Sequence, residues 1–149
     1  MGDDRERIAE AVTTSHLFED MSEEGRHGLI DAARVETFEA GQVILAEGET
    51  GDDLYLVLSG NVEVSIHVER GEKKLARLSR GDVFGEIAGL LDHRRYATVT
   101  AINEGAHVAR FHREPVDSIL DDHGHIRDKL HSEGKRRLAE TAEVVLAGE

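Results

Sequence analysis

No cysteine and only one proline occur in these 149 residues. The first absence excludes disulfides, thiolate nucleophiles and cysteine-ligated zinc. It is compatible with a reducing cytoplasm, where the chain is expected to work. Long hydrophobic runs are missing as well. The longest span a handful of residues, such as VVLA at 144–147, against the ~20 that a membrane helix needs. The opening MGDDRERIAEA is no secretory signal. Arg5 is followed by Glu6, not Ser or Thr, so a myristoylation motif fails too. Positive charge is scarce: the formal net charge is −13, the opposite of the basic field a nucleic-acid surface requires. The acidity reads as a solubility feature. It makes any anion site informative, because such a site must overcome the global field locally.

The length fits one domain, expected to span 1–149. At this size a chain buries about 70% of its unfolded surface and needs no staples. Residues 4–33 read as helices. DRERIAEAV has helical spacing, and Ser22 is a good N-cap with Glu23 and Glu24 in the first turn, where they suit the helix dipole. Between 34 and 112 the period changes to short β-like runs cut by glycine: RVETF, VILAE, LYLVLSG, NVEVSIHV, KLARL, DVF, ATVTAI and AHVARFH. In NVEVSIHV, Val62, Val64, Ile66 and Val68 alternate with polar residues, as in a half-buried strand. Eight short strands at regular spacing predict an antiparallel sandwich or small barrel. From 114 to 147 the helical period returns. Pro115 suits a first helical turn. Ile126, Leu130, Gly134, Leu138, Ala142 and Val145 then mark one narrow apolar stripe on a long final helix.

FGEIAGLLDHRRYATV (84–99) is the one segment inside the β region that reads helical. A short helix starting near Gly85 points unpaired backbone N–H groups and the positive end of its dipole outward, which suits an anion. Gly85 allows close approach to the backbone. Arg95, returning from the far side of the loop, adds a planar fork of donors. Each charge-assisted bond of this kind contributes about 1.5–3 kcal/mol. Glu86 is then out of place unless the ligand also brings donors. A sugar hydroxyl supplies one, so phosphate plus ribose satisfies both signs of charge.

Gly85-Glu86-Ile87-Ala88 followed by Arg95-Tyr96-Ala97-Thr98-Val99 resembles the phosphate-binding cassette of cyclic-nucleotide-binding domains, which read roughly F-G-E-L-A, a short insert, then R-x-A-T-V. AGQVI (40–44), EGETGDDLY (47–55), LSG (58–60) and RGDVF (80–84) resemble the family's approach to the cassette, and the likeness covers about residues 15–145. The resemblance implies an eight-stranded antiparallel, jelly-roll-like β-roll (34–112, with the cassette at 84–99), flanked by N-terminal helices and by C-terminal lid helices at 114–147. It implies that Glu86 binds the ribose 2′-hydroxyl and Arg95 the cyclic phosphate. Backbone N–H groups near Gly85, Ile87, Ala88 and Ala97 would complete the cradle, and Val83 would add apolar wall. In relatives of the bacterial catabolite activator a threonine on the final helix touches adenine, and that position falls on Thr141. Tyr96 departs from the small residue the family carries after the arginine. It fits a barrel-packing aromatic or a pocket wall, and it tilts the implied ligand towards cAMP, with cGMP the other possibility. His93 and Arg94 add positive potential to the loop. In catabolite-activator relatives the final helix pairs with its twin, which implies a homodimer. No helix-turn-helix follows that helix, so output is expected to pass to another, unknown effector protein.

Two readings compete. A cupin-type metalloenzyme would need histidines and a carboxylate converging inside the barrel. The strand histidines are scattered, and His123-x-His125 lies outside the expected strands, so neither catalysis nor a metal is expected. A degenerate family member could keep the roll for protein contacts alone. The intact Gly85, Glu86 and Arg95 argue against it, and Tyr96 argues for it.

Overall fold

The run LYLVLSGNVEVSIHV is apolar at nearly every position before Gly60 and alternates after it. In the computed structural model, which describes residues 2–86 and 93–147, both halves belong to one strand. The elements are α1 (Gly2–Thr14), α2 (Glu23–Ala32), β1 (Ala33–Phe38), β2 (Val43–Leu45), β3 (Leu54–Val68), β4 (Gly71–Leu78), β5 (Val83–Phe84), β6 (Thr98–Phe111), α3 (Arg113–Asp121) and α4 (Gly124–Leu146). The strands form one antiparallel sheet in the order β1-β6-β3-β4, with β2 added on β6 and β5 on β3.

The eight expected runs appear as six strands because β3 and β6 each join two of them. Leu54 to Gly60 pairs with Phe111 to Ala106, and pairing resumes at Asn61 with Ile102. Residues 103–105 are therefore looped out of β6. Asn103 (φ 59) and Gly105 (φ 96) take left-handed conformations there, opposite Gly60 (φ 81). This bulge bends both strands and folds the sheet over itself. The turn demands glycine at position 60: a Cβ there would lie 2.1 Å from the Gly105 carbonyl oxygen.

The bend creates two cores. Before it, β3 is buried on both faces, which accounts for its unbroken apolar run. Leu54, Leu56 and Leu58 pack with Ala109 and Phe111 against Val12, Leu29, Val116 and Ile126 of the helices. Tyr55 and Val57 face the roll interior with Val62, Val64, Val99 and Val108. Ser22 caps α2, its Oγ accepting from the Gly25 N–H at 3.0 Å. That helix passes into β1 without a loop.

The apolar stripe on the final helix holds only at its start. Ile126, Leu130 and Gly134 are buried, whereas Ala142 is exposed and Val145 is 54% exposed. A stripe spaced by four advances ~40° per step around a helix of 3.6 residues per turn. The inward face therefore passes to Arg137, Thr141 and Val144, which are partly covered. No described helix is long and apolar enough to cross a membrane.

Gly60→Ala should destabilise the fold by about 2 kcal/mol or more, because a backbone oxygen blocks the new methyl and φ is positive. Urea unfolding would register this as a lower midpoint with an unchanged slope; an unaltered midpoint would mean that the bend tolerates a side chain.

Candidate functional site

The site begins where β5 ends. Val83 and Phe84 pair with Leu56 and Tyr55, and alternation sends their side chains to opposite faces. Val83 lies in the helix-side core and Phe84 in the roll, stacked on Tyr55 with ring centroids 4.9 Å apart. The wall expected from Val83 is thus supplied by its neighbour: Phe84 lines the cavity next to Gly85, and Val83 does not. Gly85 has φ 90. A Cβ there would sit 2.6 Å from the Asp53 carbonyl oxygen and 3.2 Å from Arg95 Nη1. Glycine is required because φ is positive and a Cβ would strike the Asp53 backbone carbonyl.

Arg95 is 7% exposed. Its Nη1 donates to the Gly85 carbonyl at 3.3 Å and its Nη2 to the Asp53 carbonyl at 3.2 Å. Among the described residues no carboxylate lies within salt-bridge distance of it. Burial holds this guanidinium below its ordinary pKa, with Tyr55 and Asp53 pulling the other way. A buried cation with only neutral acceptors is unfavourable by itself, and an anion beside it relieves the cost.

The Glu86 side chain is 4% exposed and accepts from Arg137 Nη1 at 2.7 Å. The same Nη1 donates to the Val83 carbonyl at 2.7 Å, and Nη2 lies 3.2 Å from Glu133. Burial raises the Glu86 carboxyl above the ordinary glutamate pKa, against the charge of Arg137. Arg113, at the start of α3, adds bonds to the Asp52 carbonyl at 3.1 Å and the Glu86 carbonyl at 3.5 Å. Both α3 and α4 are therefore tied by arginines to the segment around Glu86.

Two compartments meet here. A small one of about 20 Å³ is lined by Gly85, Glu86, Arg95 and Ala97. A larger one of about 360 Å³ lies between α4 and the β3–β4 hairpin and includes Leu75, Leu78 and Thr141, a volume in the range of small-molecule sites. Tyr96 and Arg137 line both and stand between them. Burial, reinforced by the charge of Glu86, pushes the Tyr96 phenol up to about 12. Thr141 Oγ donates to the Arg137 carbonyl at 2.9 Å, which leaves its lone pairs as acceptors.

Comparison with known proteins decides the family. The profile of the cyclic nucleotide-binding domain matches residues 35–123. The chain belongs to the cyclic nucleotide-binding domain family. It is 42% identical over 85 residues to the cAMP-dependent protein kinase regulatory subunit of Eremothecium gossypii, covering 57% of this chain and 18% of that protein. It is 38% identical over 110 residues to the cGMP-dependent protein kinase of Toxoplasma gondii, covering 74% of this chain and 11% of that protein. The regulatory domain of Toxoplasma gondii PKA, solved as a co-crystal with cAMP, superposes with a TM-score of 0.74 at 28% identity, over 82% of this chain and 46% of that one. The chain thus spans less than a fifth of either relative's sequence.

Within this cyclic nucleotide-binding domain, the structure gathers Gly85, Glu86, Arg95, Tyr96 and Ala97 around one small cavity and Thr141 around the adjoining one. Ile87 and Ala88 lie outside the described residues. Sequence reasoning missed Arg137, whose only local signal is its spacing of four from Glu133 and from Thr141. It also missed the turn 51–53 behind Arg95. Among the described residues no three histidines or carboxylates converge to hold a metal. His123 uses both ring nitrogens locally, Nδ1 at 2.8 Å from the Ile119 carbonyl and Nε2 at 2.9 Å from Ser22 Oγ.

Arg137→Met should destabilise the domain by about 2 kcal/mol, because a buried carboxylate loses its counter-charge. The Glu86 carboxyl, already raised in the wild type, is then pushed further up. The variant's stability should be greatest below the ordinary glutamate pKa and fall more than the wild type's as pH rises from there to the raised folded-state pKa. Thermal unfolding of both proteins across that range measures this, and a parallel pH dependence would contradict it.

Proposed function

We propose that this domain is a regulatory sensor for a cyclic purine nucleotide, with cAMP as the ligand and cGMP as the competitor to be tested. The observation that carries the reading is the buried Arg95 guanidinium, directed at the Gly85 backbone and bonded among the described residues only to carbonyls. That is a site prepared for a monoanion. Arg95 pairs with the cyclic phosphate. Backbone donors at Gly85 and Ala97 contribute to the cradle. Glu86, one residue beyond Gly85, accepts from the ribose 2′-hydroxyl while sharing its carboxylate with Arg137. The base enters the larger compartment past Tyr96, where the lone pairs of Thr141 Oγ face a purine amino group. Val83 supports this arrangement from the helix-side core.

Regulation follows from who shares Glu86. Arg137 belongs to α4, so a ribose hydroxyl arriving at Glu86 alters the bond that docks the lid. The ligand biases the lid by the difference in its affinity for the two lid positions, and by no more than that. The module acts without catalysis of its own and without a metal, in the cytoplasm. It signals to an effector protein and pairs with a second copy through the exposed side of α4. A nucleotide-free protein-contact role is the second reading. It is favoured by Tyr96, a bulky side chain that lines both compartments.

A thermal-shift panel of cyclic nucleotides separates the two. A ligand at a hundred times its dissociation constant adds about 2.7 kcal/mol, and no shift with any cyclic nucleotide would favour the second reading. Arg95→Ala should weaken binding by about 2–5 kcal/mol while the protein stays folded; unchanged affinity by calorimetry would remove the phosphate role. Glu86→Gln should weaken binding of the ribonucleotide and scarcely affect a 2′-deoxy analogue. Equal losses for both ligands would remove the ribose role.

A further inference from the structure

The turn at 51–53 is held from two sides. On its inner side it cups the phosphate arginine. A Cβ on Gly51 would stand 3.4 Å from Arg95 Nε and Nη2, and the Asp53 carbonyl accepts from Nη2. On its outer side the Asp53 carboxylate, 15% exposed, accepts from Arg110 Nε at 2.7 Å and lies 3.4 Å from His112 Nδ1. Arg110 in turn reaches Glu36 at 3.2 Å, and its guanidinium sits 5.7 Å from the centroid of the Tyr55 ring. Burial alone would raise the Asp53 carboxyl, but the bonds from Arg110 and His112 hold it below the ordinary aspartate pKa.

We propose that Asp53 is a positioning residue for the anion site: its ion pair with Arg110 fixes the turn whose carbonyl orients Arg95. The assignment rests on the phosphate role of Arg95 given above. Its logic lies in which group of Asp53 meets which arginine. A carboxylate against Arg95 would neutralise it and compete with an incoming phosphate. A carbonyl dipole aims the guanidinium and leaves its charge uncompensated. Asp53 pairs its carboxylate outward with Arg110 and presents its carbonyl to Arg95. Backbone bonds to His93 and Arg95 hold the near end of this turn and Arg113 holds the Asp52 carbonyl, so the pair with Arg110 is the side-chain anchor at Asp53 itself. An unfixed Arg95 would have to be ordered by the ligand, at a cost to affinity.

The test uses the intact chain with cAMP and cGMP in calorimetry. Asp53→Asn and Arg110→Met should each lower affinity about tenfold, and the double variant no further, since the two share the bond that positions Arg95. Arg110→Lys, which keeps the charge, should recover part of the loss. The Arg95 side-chain Nε–H resonance should shift and broaden in Asp53→Asn. Variants that bind like the wild type, or losses that add in the double variant, would overturn the proposal. If Asp53→Asn does not fold, the comparison of Arg110→Met with Arg110→Lys decides, and equal affinities for those two overturn it. Wild-type protein that binds no cyclic nucleotide would defeat the functional reading itself. Wild-type binding with undiminished variants would defeat only this assignment.

Discussion

The long antiparallel pair of β3 and β6 is the constraint on which the remaining architecture rests. Every other strand is attached to one of these two. Their shared bend at Gly60 and residues 103–105 turns a flat ladder into a roll with an inside. The inside holds Tyr55, Phe84 and Ala97, and the rim where β5 meets β3 holds Gly85. The other face of the same strands holds Leu54, Leu56 and Leu58 against the helices. One ladder thereby sets both the position of the site and the position of the helices that could respond to it. Because its contacts join residues far apart in sequence, forming it carries most of the loop-closure cost of folding.

Electrostatically the domain separates a global field from a local one. The chain carries −13 overall, yet Arg95, Arg110, Arg113 and Arg137 cluster around the cassette. Arg110 and Arg137 are paired with carboxylates. Arg95 and Arg113 bond to main-chain carbonyls. The two kinds of partner serve different ends. Carboxylates anchor strand and helix, whereas carbonyls orient a cation without neutralising it. At about 8 Å of screening length in physiological salt, acidic side chains elsewhere on the surface scarcely weaken this local potential.

What could be read from the sequence was whatever lies close together along it. Gly85, Glu86 and Arg95 fall within eleven residues, so their grouping was visible before any fold was known. The strands were visible too, because burial on one face leaves alternation and burial on two leaves a continuous run. Their number was not, since a glycine inside a strand looks the same as a glycine between strands. Val83 was misassigned because alternation around a two-residue strand depends on register with β3, which only the fold supplies. Arg137 lies 51 residues from Glu86, and its partner is decided by how α4 docks. The stripe, spaced by four from Ile126 to Ala142, drifted off the true inner face and passed over it.

The direct passage from α2 into β1 has a mechanical consequence. Ala33, the first residue of β1, pairs with Phe111, the last of β6, and α3 starts two residues later at Arg113. The tail of the second helix and the head of the third are thus clamped side by side across a single rung of the ladder. Neither has slack there, so the two helical groups share one fulcrum. The joint between that fulcrum and the long final helix is fastened in turn to the cap of the second helix, by the His123 ring at Ser22 Oγ.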